Sequence, residues 1–311
     1  MTKRTEILER PSLQREQPSA SDDVALTRRQ GLFQSRAWKD YLRNRFGVLG
    51  AIMIGALLVV TLAAPLVTSY EPSATDAYNL VKPPSSEHWL GTDAIGRDMW
   101  SRVVYGGRIS LLVGALGVML QTVIGTIMGA ISGFFGGWVD NLIQRLVEVM
   151  QVFPDFMMLL IMVSLLGPSL VNLFIAIALL NWHGVCRLIR GQILTVREED
   201  YILAARSIGV DNRRIIFRHI LPNLSGIILV SMVTSIGGFI LLEASLSFVG
   251  LGVQPPTPSW GNLIFQANNL VVLQIRPWLW IPPGVAVILC VLGFNFVGDA
   301  LRDVFDPLRQ Q

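Results

Sequence analysis

The sequence predicts an all-α polytopic membrane protein with six transmembrane helices, and three observations support this fold class. Hydrophobic residues make up 52% of the 311 residues and charged residues only 15%, whereas soluble domains carry about 25% charged residues. The apolar residues form runs close to the roughly 20 residues that cross a bilayer. Lysine and arginine are concentrated in alternate segments between these runs, as expected when basic loops remain in the cytoplasm.

Five apolar runs are candidate spans by length and composition. They are Phe46–Thr68, Ile109–Ser132, Leu170–Leu188, Leu224–Val249 and Trp278–Val297. A sixth run, Leu146–Leu166, contains Glu148 and Asp155. A central carboxylate costs about 3 kcal/mol and each large aliphatic residue or phenylalanine returns about 0.5 kcal/mol, so cost and gain roughly cancel in this run. Leaving the run out would place the seven arginines from Arg187 to Arg218 outside. The charge pattern therefore predicts six spans with both termini in the cytoplasm.

The spans divide the rest of the chain into segments with different expected environments. The segments are a disordered cytoplasmic tail at 1–31, an interfacial helix at 32–45, the first span at 46–68, an external loop at 69–108, a membrane core at 109–299 and a cytoplasmic C-terminus at 300–311. The tail mixes both charges with proline and serine, which is typical of disorder. Gly125, Gly129 and Gly133 are spaced four residues apart, and this spacing predicts close helix packing in lipid.

The sequence lacks the motifs of nucleotide hydrolysis, metal catalysis and covalent catalysis. None of its three lysines follows a glycine, so there is no Walker P-loop. The patterns H-E-x-x-H and G-x-S-x-G are also absent. Cys186 and Cys290 stand singly in apolar runs, which indicates packing rather than a metal site or a disulfide. We therefore predict no catalytic residue, no metal, no cofactor and no nucleic-acid partner for this chain.

A polar and strongly basic segment, Asp200–Asn223, interrupts the apolar second half of the chain with "DYILAARSIGVDNRRIIFRHILPN". Its pattern predicts a helix over Tyr201–Ile208 that ends at the following glycine. Asp211 is expected to cap a second helix, Asn212–Ile220. Pro222 is expected to break the chain before the fifth span. The polar segment is thus two short helices joined by a glycine turn, on the cytoplasmic side.

The polar segment resembles the coupling segment, or EAA motif, of ABC importer permeases. That motif has an acidic residue and two alanines, a glycine four residues after the second alanine, and an I-x-L-P ending. The matching positions are Leu203, Ala204, Ala205, Gly209 and His219–Pro222. Leu203 replaces the acidic residue and His219 replaces the isoleucine, and both departures are familiar in the dipeptide/oligopeptide branch of the family.

Three further stretches are similar to the C-type permeases of that branch. They are Trp89–Leu111, Glu243–Gly261 and Gly298–Pro307. The resemblance extends from about Phe46 to the C-terminus. It implies the ABC importer permease fold in a bacterial or archaeal cytoplasmic (inner) membrane, with the permease core at 109–299 and its coupling segment at 199–222.

The resemblance also implies a division of work among several subunits. The chain would be a transport subunit, not an enzyme, and would share a pathway for dipeptides or oligopeptides with a homologous second permease in the membrane lipid. Two cytoplasmic ATPase subunits would bind ATP and Mg²⁺, and an extracellular or periplasmic binding protein would deliver the substrate. Two alternatives stay open: a same-family importer of nickel or another small solute, and a stand-alone secondary transporter with its site near the midplane.

Nine residues of the polar segment are candidate ATPase-coupling residues under this resemblance. They are Tyr201, Leu203, Ala204, Ala205, Arg206, Ile208, Gly209, Leu221 and Pro222. The two alanines leave the helix surface free of bulk, so that a partner can approach closely. Tyr201 and Ile208 offer apolar contacts, and Arg206 offers charge.

Acidic and basic residues outside this segment give two further sets of candidates. Glu243, Glu148 and Asp155 lie in predicted spans, and intramembrane acids are candidates for the translocation path. The alternative for these acids is an ion pair or hydrogen bond with a neighbouring helix or the partner permease, and for Glu148 a local helical pair with Arg145. In the external loop, four charged residues are expected either to dock the binding protein or to form an internal salt-bridge cluster. They are Asp93, Arg97, Asp98 and Arg102.

Overall fold

The computed structural model describes residues 39–266 and 268–305. Within these ranges the regular secondary structure is helical, apart from one isolated antiparallel bridge between Thr92 and Asp98. The predicted tail at 1–31, the first part of the interfacial helix and the last six residues lie outside the described residues. Residues 39–43 of the predicted interfacial helix are helical, and Asn44 caps the helix that follows.

Eleven helices form most of the described chain. They are α1 (Arg45–Leu62), α2 (Met99–Phe135), α3 (Gly137–Val152), α4 (Asp155–Leu166), α5 (Leu170–Leu180), α6 (Trp182–Val196), α7 (Asp200–Ser207), α8 (Ser225–Phe248), α9 (Trp260–Phe265), α10 (Leu270–Ile275) and α11 (Ile281–Phe305). Short helical turns lie between them at Ala64–Val67, Asn212–Arg214, Ile215–Ile220, Leu221–Asn223 and Pro277–Leu279.

Five helical stretches of the described chain are long and apolar enough to cross a membrane: α1, α2, α5 with α6, α8 and α11. The pair α3 and α4 passes the same test only as a bent unit, with 87° between the two helices. The expected span Leu146–Leu166 is therefore not straight. Its break lies at Phe153 and Pro154, where proline lacks the backbone donor that would continue the helix. Counting the bent pair as one span gives six.

Helix α2 is longer than the span expected at Ile109–Ser132, because it contains 37 residues and begins at Met99. A helix of this length measures about 55 Å, well above the roughly 30 Å hydrocarbon core of a bilayer. Its first ten residues therefore fall within the predicted loop at 69–108, which is helical from Met99 onward. Helix α11 likewise continues to Phe305, past the boundary expected at residue 299.

The glycine pattern of α2 allows the close helix packing that the sequence predicts, and the partner is α6. A Cβ atom on Gly125 would lie 2.6 Å from the Cβ atom of Val185, and one on Gly129 would lie 2.6 Å from the carbonyl oxygen of Cys186. A Cβ atom on Gly133 would lie 3.0 Å from the Arg190 carbonyl oxygen. Helix backbones can approach this closely only where a side chain is missing. Three successive turns of α2 are therefore in direct contact with α6.

Helices α1 and α11 meet through a second set of small residues. A Cβ atom on Gly50 would lie 2.6 Å from the carbonyl oxygen of Gly293, and one on Gly293 would lie 2.9 Å from Ile54. Helix α8 packs on both α11 and α2, and the short helix α9 packs into the space between them. Trp260 and Leu263 of α9 are buried there, so α9 contributes to the core.

We predict that Gly129→Ala destabilises the protein because its methyl group must displace the α6 backbone. Forcing extra volume into a packed helix contact typically costs about 1–3 kcal/mol. The matched control is Gly191→Ala on α6, where an added Cβ atom meets nothing within 4 Å. The measurement is thermal unfolding of the purified protein in detergent. Equal unfolding midpoints for the two variants would contradict the close α2–α6 contact.

Candidate functional site

The first helix of the polar segment, α7, ends in a motif that requires glycine. Gly209 has a φ of +78°, a conformation that other residues adopt only at a cost. Its N–H donates to the Arg206 carbonyl at 3.0 Å, and the Val210 N–H donates to the Ala205 carbonyl at 3.1 Å. This pair of bonds is the Schellman motif, in which the residues at both ends of the turn also pack together. Ala205 and Val210 both pack on the same apolar cluster.

The second half of the polar segment differs from the expected helix Asn212–Ile220. Asp211 caps it as predicted, accepting from the Arg213 N–H at 3.1 Å. After one α-helical turn, Ile215–Ile220 forms a π-helix in which the Leu221 N–H bonds to the Ile216 carbonyl. Pro222 gives a physical reason, because its ring lacks an N–H and would clash with the carbonyl four residues earlier. The chain then continues through a short turn into α8 without an extended break.

An apolar cluster joins the polar segment to the ends of α2 and α6. Ile202, Ile215 and Ile220 of the segment are fully buried, and they pack with Ile189 and Ile193 of α6. Burying one isoleucine side chain contributes about 1.5–3 kcal/mol. Phe134 at the end of α2 belongs to the same cluster, and the Arg206 guanidinium lies 4.7 Å from its ring centre. The polar segment is therefore packed against α2 and α6.

The structure divides the nine candidate coupling residues by exposure. Seven of them are exposed: Tyr201, Leu203, Ala204, Arg206, Ile208, Gly209 and Pro222. Two are half-buried against the apolar cluster: Ala205 and Leu221. Ala204 and Ala205 thus have different surroundings, although both are small. The exposed side chains include large apolar ones, with Tyr201 at 45%, Leu203 at 42% and Ile208 at 81%.

Two residues of the polar segment were not recognised from the sequence. Ile202 is fully buried and anchors α7, while Phe217 is 66% exposed on the π-helix. The signal for Ile202 was its spacing of three residues from Ala205, which places both on one helix face. Phe217 carried no such signal, because the π-helix changes which side chains share a face.

Glu243 lies in a buried hydroxyl network that joins three elements. Its side chain is 1% exposed and accepts from Ser247 on α8 at 2.7 Å and from Ser259, before α9, at 2.8 Å. Ser110 of α2 donates to the other carboxylate oxygen at 3.3 Å and accepts the Trp260 N–H at 3.0 Å. Among the described residues, no basic side chain forms an ion pair with Glu243. The network therefore fixes α9 against α2 and α8.

The other two intramembrane acids lie at the surface of the described chain. Glu148 accepts from Arg145 at 2.9 Å, and both side chains are more than half exposed. Asp155 stands at the start of α4 with His183 at 3.8 Å. Asp140, which the sequence did not single out, binds Arg190 with both oxygens at 2.6 Å. This two-bond ion pair joins α3 to α6. Its partners are 50 residues apart in the sequence, so local patterns could not predict it.

Three of the four charged residues of the predicted external loop lie together, and the fourth, Asp98, has other partners. Asp93 is buried and accepts from the Arg97 Nε at 2.7 Å, while the Arg102 Nε lies 3.7 Å away. Asp98 caps α2 by accepting from the Ser101 N–H, and its other oxygen lies 2.9 Å from His88. Asp93, Arg97 and Arg102 therefore form an internal cluster of the expected kind, which does not include Asp98. Whether the same residues also contact a binding protein stays a prediction.

A second set of backbone contacts orders the same loop. The Val81 N–H donates to the Asp93 carbonyl, and the Thr92 N–H donates to the Lys82 carbonyl. The Tyr78 N–H and the Asn79 side chain donate to Asp76 and hold the pKa of that carboxyl below its usual value. The loop is thus a folded unit at the N-terminal end of α2. The polar segment packs at the opposite end of α2, beside Phe134.

No group of three or more His, Cys, Asp or Glu side chains in the described ranges is arranged to hold a metal ion. Cys186 and Cys290 are both buried and are not joined in a disulfide. The arrangement of residues instead offers two exposed surfaces at opposite ends of α2, linked by tightly packed helices.

Comparison with protein families gives two matches that together cover most of the chain. Residues 123–311 match the family described as the binding-protein-dependent transport system inner membrane component. Residues 33–84 match the N-terminal transmembrane domain of oligopeptide transport permease C. The first match contains the polar segment, Glu243 and helices α3 to α11. The second contains α1 and the first part of the following loop.

Similar curated proteins are described as permeases. The chain is 42% identical over 271 residues to the dipeptide transport system permease protein DppC of Alkalihalophilus pseudofirmus, covering 87% of this chain and 88% of the relative. It is 41% identical over 273 residues to a putative peptide permease protein of Brucella suis, covering 88% and 90%. It is 40% identical over 271 residues to the glutathione transport system permease protein GsiD of Escherichia coli, covering 87% and 89%.

We predict that Glu243→Ala destabilises the protein much more than Glu243→Gln. Alanine leaves three buried hydroxyl groups without their acceptor, and each unsatisfied group costs about 1–3 kcal/mol. Glutamine keeps one oxygen for Ser247 and Ser259, and its NH₂ group can donate to Ser110. The measurement is thermal unfolding of the purified variants. A Gln variant as unstable as the Ala variant would contradict the role of this network in packing.

Proposed function

Because the chain belongs to the family of inner membrane components of binding-protein-dependent transport systems, we propose that it forms half of the translocation pathway of an ATP-driven peptide importer. The observation that carries this proposal is the polar segment, which packs on α2 and α6 through buried isoleucines and keeps its outer face exposed. A homologous second permease forms the other half of the pathway.

The solute class follows from the relatives. The similar proteins are described as permeases for dipeptides, peptides and glutathione, and glutathione is itself a small peptide. The N-terminal match to oligopeptide transport permease C supports the same class. We therefore propose a short peptide as the solute, with another small solute as the alternative.

The exposed face of α7 is the proposed docking site for one of two cytoplasmic ATPase subunits, which bind ATP and Mg²⁺. Ala204 offers a place without bulk, and Tyr201, Leu203 and Ile208 surround it with apolar surface. Exposed apolar side chains of this size are typical of surfaces that meet another protein. Arg206 adds charge beside them, and its guanidinium also contacts the Phe134 ring.

The buried side of the polar segment is proposed to transmit movement of the ATPase subunit to the helices of the pathway. Ile202 and Ile215 pack on α6, and Phe134 links the same cluster to α2. A displacement of α7 therefore moves the ends of both helices, because packed side chains cannot separate without losing their contacts. Rotation of these helices as a body would open the pathway alternately to each side.

This arrangement favours the ABC importer over a stand-alone secondary transporter. A carrier needs a solute and coupling-ion site near the midplane. In the described chain, Glu243 is enclosed by three serine hydroxyls, and Glu148 and Asp155 are exposed. Glu243, Glu148 and Asp155 remain candidates for the translocation path only if the second permease changes their surroundings.

The proposed orientation places the polar segment and both termini in the cytoplasm. Seven arginines lie between Arg187 and Arg218, and basic segments remain inside. The folded loop at the other end of α2 then faces outward, where an external binding protein delivers the solute. Asp93, Arg97, Asp98 and Arg102 belong to this loop and to the start of α2, and their internal contacts give the docking surface a fixed shape.

We predict that uptake falls in proportion to the volume of the side chain at position 204. Ala204→Ser should keep uptake, Ala204→Leu should reduce it, and Ala204→Trp should abolish it, because the docking surface needs a position without bulk. Position 204 is exposed, so these changes should leave folding intact. Ala205 is less suitable for the test, since it also packs on the buried cluster.

The measurement combines peptide uptake in cells with recovery of the ATPase subunits on purified permease. Loss of uptake together with loss of bound ATPase is the expected result for Ala204→Trp. Normal uptake with a tryptophan at this position would contradict the docking proposal. The proposal would also be contradicted if uptake were lost while the ATPase subunits stayed bound and their ATP hydrolysis were still stimulated by peptide.

A further inference from the structure

A cavity of about 570 Å³ lies at the end of α2 opposite the polar segment. Its wall is formed by the folded loop at 93–97, the start of α2, the chain after α8, and α9 and α10. This volume falls within the range of small-molecule sites in proteins. Orientation by the positive-inside rule makes this the external side of the chain.

Three arginines and only one acidic residue are among the side chains that line the cavity. The arginines are Arg97, Arg102 and Arg276, and the acid is Asp93. Arg97 and Arg102 share one oxygen of Asp93, at 2.7 and 3.7 Å. Two guanidinium charges in this lining are therefore not balanced by a carboxylate. Such an excess of charge at a partly enclosed site attracts an anion.

Arg102 has unused hydrogen-bonding capacity at this cavity. Its side chain is 2% exposed, and its Nη1 donates to the Pro72 carbonyl at 3.0 Å. Its buried Nε has no hydrogen-bond partner among the described residues. A buried donor without a partner costs about 1–3 kcal/mol, and more for a charged group. The Nε is enclosed by protein beside Asp93, so a negative charge in the cavity would stabilise this buried guanidinium through its charge.

We propose that this cavity binds a carboxylate group that arrives from the external side, with Arg276 as its ligand and the buried Arg102 guanidinium in the cavity wall as a second positive charge. Guanidinium groups bind carboxylates through strong, charge-assisted hydrogen bonds. Arg276 follows α10, is half-buried and forms no ion pair within the described ranges. The carboxylate comes either from an acidic side chain of the external binding protein or from the solute itself. The two possible sources of the carboxylate rest on the proposed function. Binding of a carboxylate in the cavity does not.

The cavity is in direct contact with the buried hydroxyl network around Glu243. Ser247 lines the cavity and donates to Glu243 at 2.7 Å. Glu243 in turn holds Ser110 of α2 and Ser259 before α9. A carboxylate that draws Arg276 toward Arg102 would press α10 and the chain after α8 onto the same network. Ligand binding in the external cavity would thus change how α2, α8 and α9 pack together.

The first experiment measures binding of a small carboxylate directly. The complete complex in lipid nanodiscs is titrated with N-acetylglycine and with its neutral amide, and binding is followed by saturation-transfer NMR. We expect binding of the acid alone, weakened about tenfold or more by Arg276→Gln, as for loss of a charge-assisted hydrogen bond. The matched control is Lys82→Gln, which removes a positive charge from the folded loop before α2 but outside the cavity. No acid binding, or equal effects of the two variants, would overturn the proposal.

A second pair of measurements identifies the source of the carboxylate. Weaker binding of solute-free binding protein to Arg276→Gln complexes would assign the group to that protein. Unchanged docking with a raised KM for peptide uptake would assign it to the solute. If neither changes, the cavity plays no part in transport and the proposal fails. Absence of peptide uptake by the unaltered complex would instead contradict the proposed function, and the NMR result would still stand.

Discussion

The rest of the structure depends on the close contact between α2 and α6. Gly125, Gly129 and Gly133 bring three turns of α2 against the α6 backbone, at distances that any larger side chain would prevent. In lipid, helices gain little from burying apolar surface against each other, so close van der Waals packing supplies most of the attraction. This contact places Phe134 beside Ile189 and Ile193, and together they form the surface on which the polar segment folds.

The polar segment is therefore held by the membrane core and presents its other side outward. Ile202, Ile215 and Ile220 are buried inward, while Leu203, Ala204 and Ile208 are exposed. A helix with these two faces can receive a force on one side and pass it to α2 and α6 on the other. At the far end of α2, the Glu243 hydroxyl network lies beside the arginine-lined cavity. Ser247 belongs to both, because it donates to Glu243 and lines the cavity. One long helix thus connects the two surfaces proposed to meet partner proteins.

Much of this architecture could be predicted from local sequence, because it depends on local signals. The lengths of the apolar runs predict the spans, the glycine spacing predicts a close helix contact without naming the partner helix, and Gly209 predicts the end of α7. The bend at Pro154 and the π-helix before Pro222 were not predicted in form, since a proline marks a break without specifying its geometry. The surroundings of Glu243 were beyond local patterns, because Ser110 is 133 residues away in sequence. The different environments of Ala204 and Ala205 could not be predicted for the same reason. Ala205 packs on a cluster that includes residues of α6, and the position of α6 is not a local property of the sequence.

The central claim is that the polar segment and the α2–α6 pair move as one body during transport. Spin labels at Ser207→Cys on α7 and Gly191→Cys on α6, with Cys186 and Cys290 replaced by alanine, allow this distance to be measured by electron paramagnetic resonance in the complete complex. Both label sites are exposed. If the segment and the two helices move as one body, the distance between the labels is the same, within about 2 Å, in nucleotide-free and ATP-trapped complexes. A change of about one helical turn, 5 Å, or a second distance in either state would contradict it.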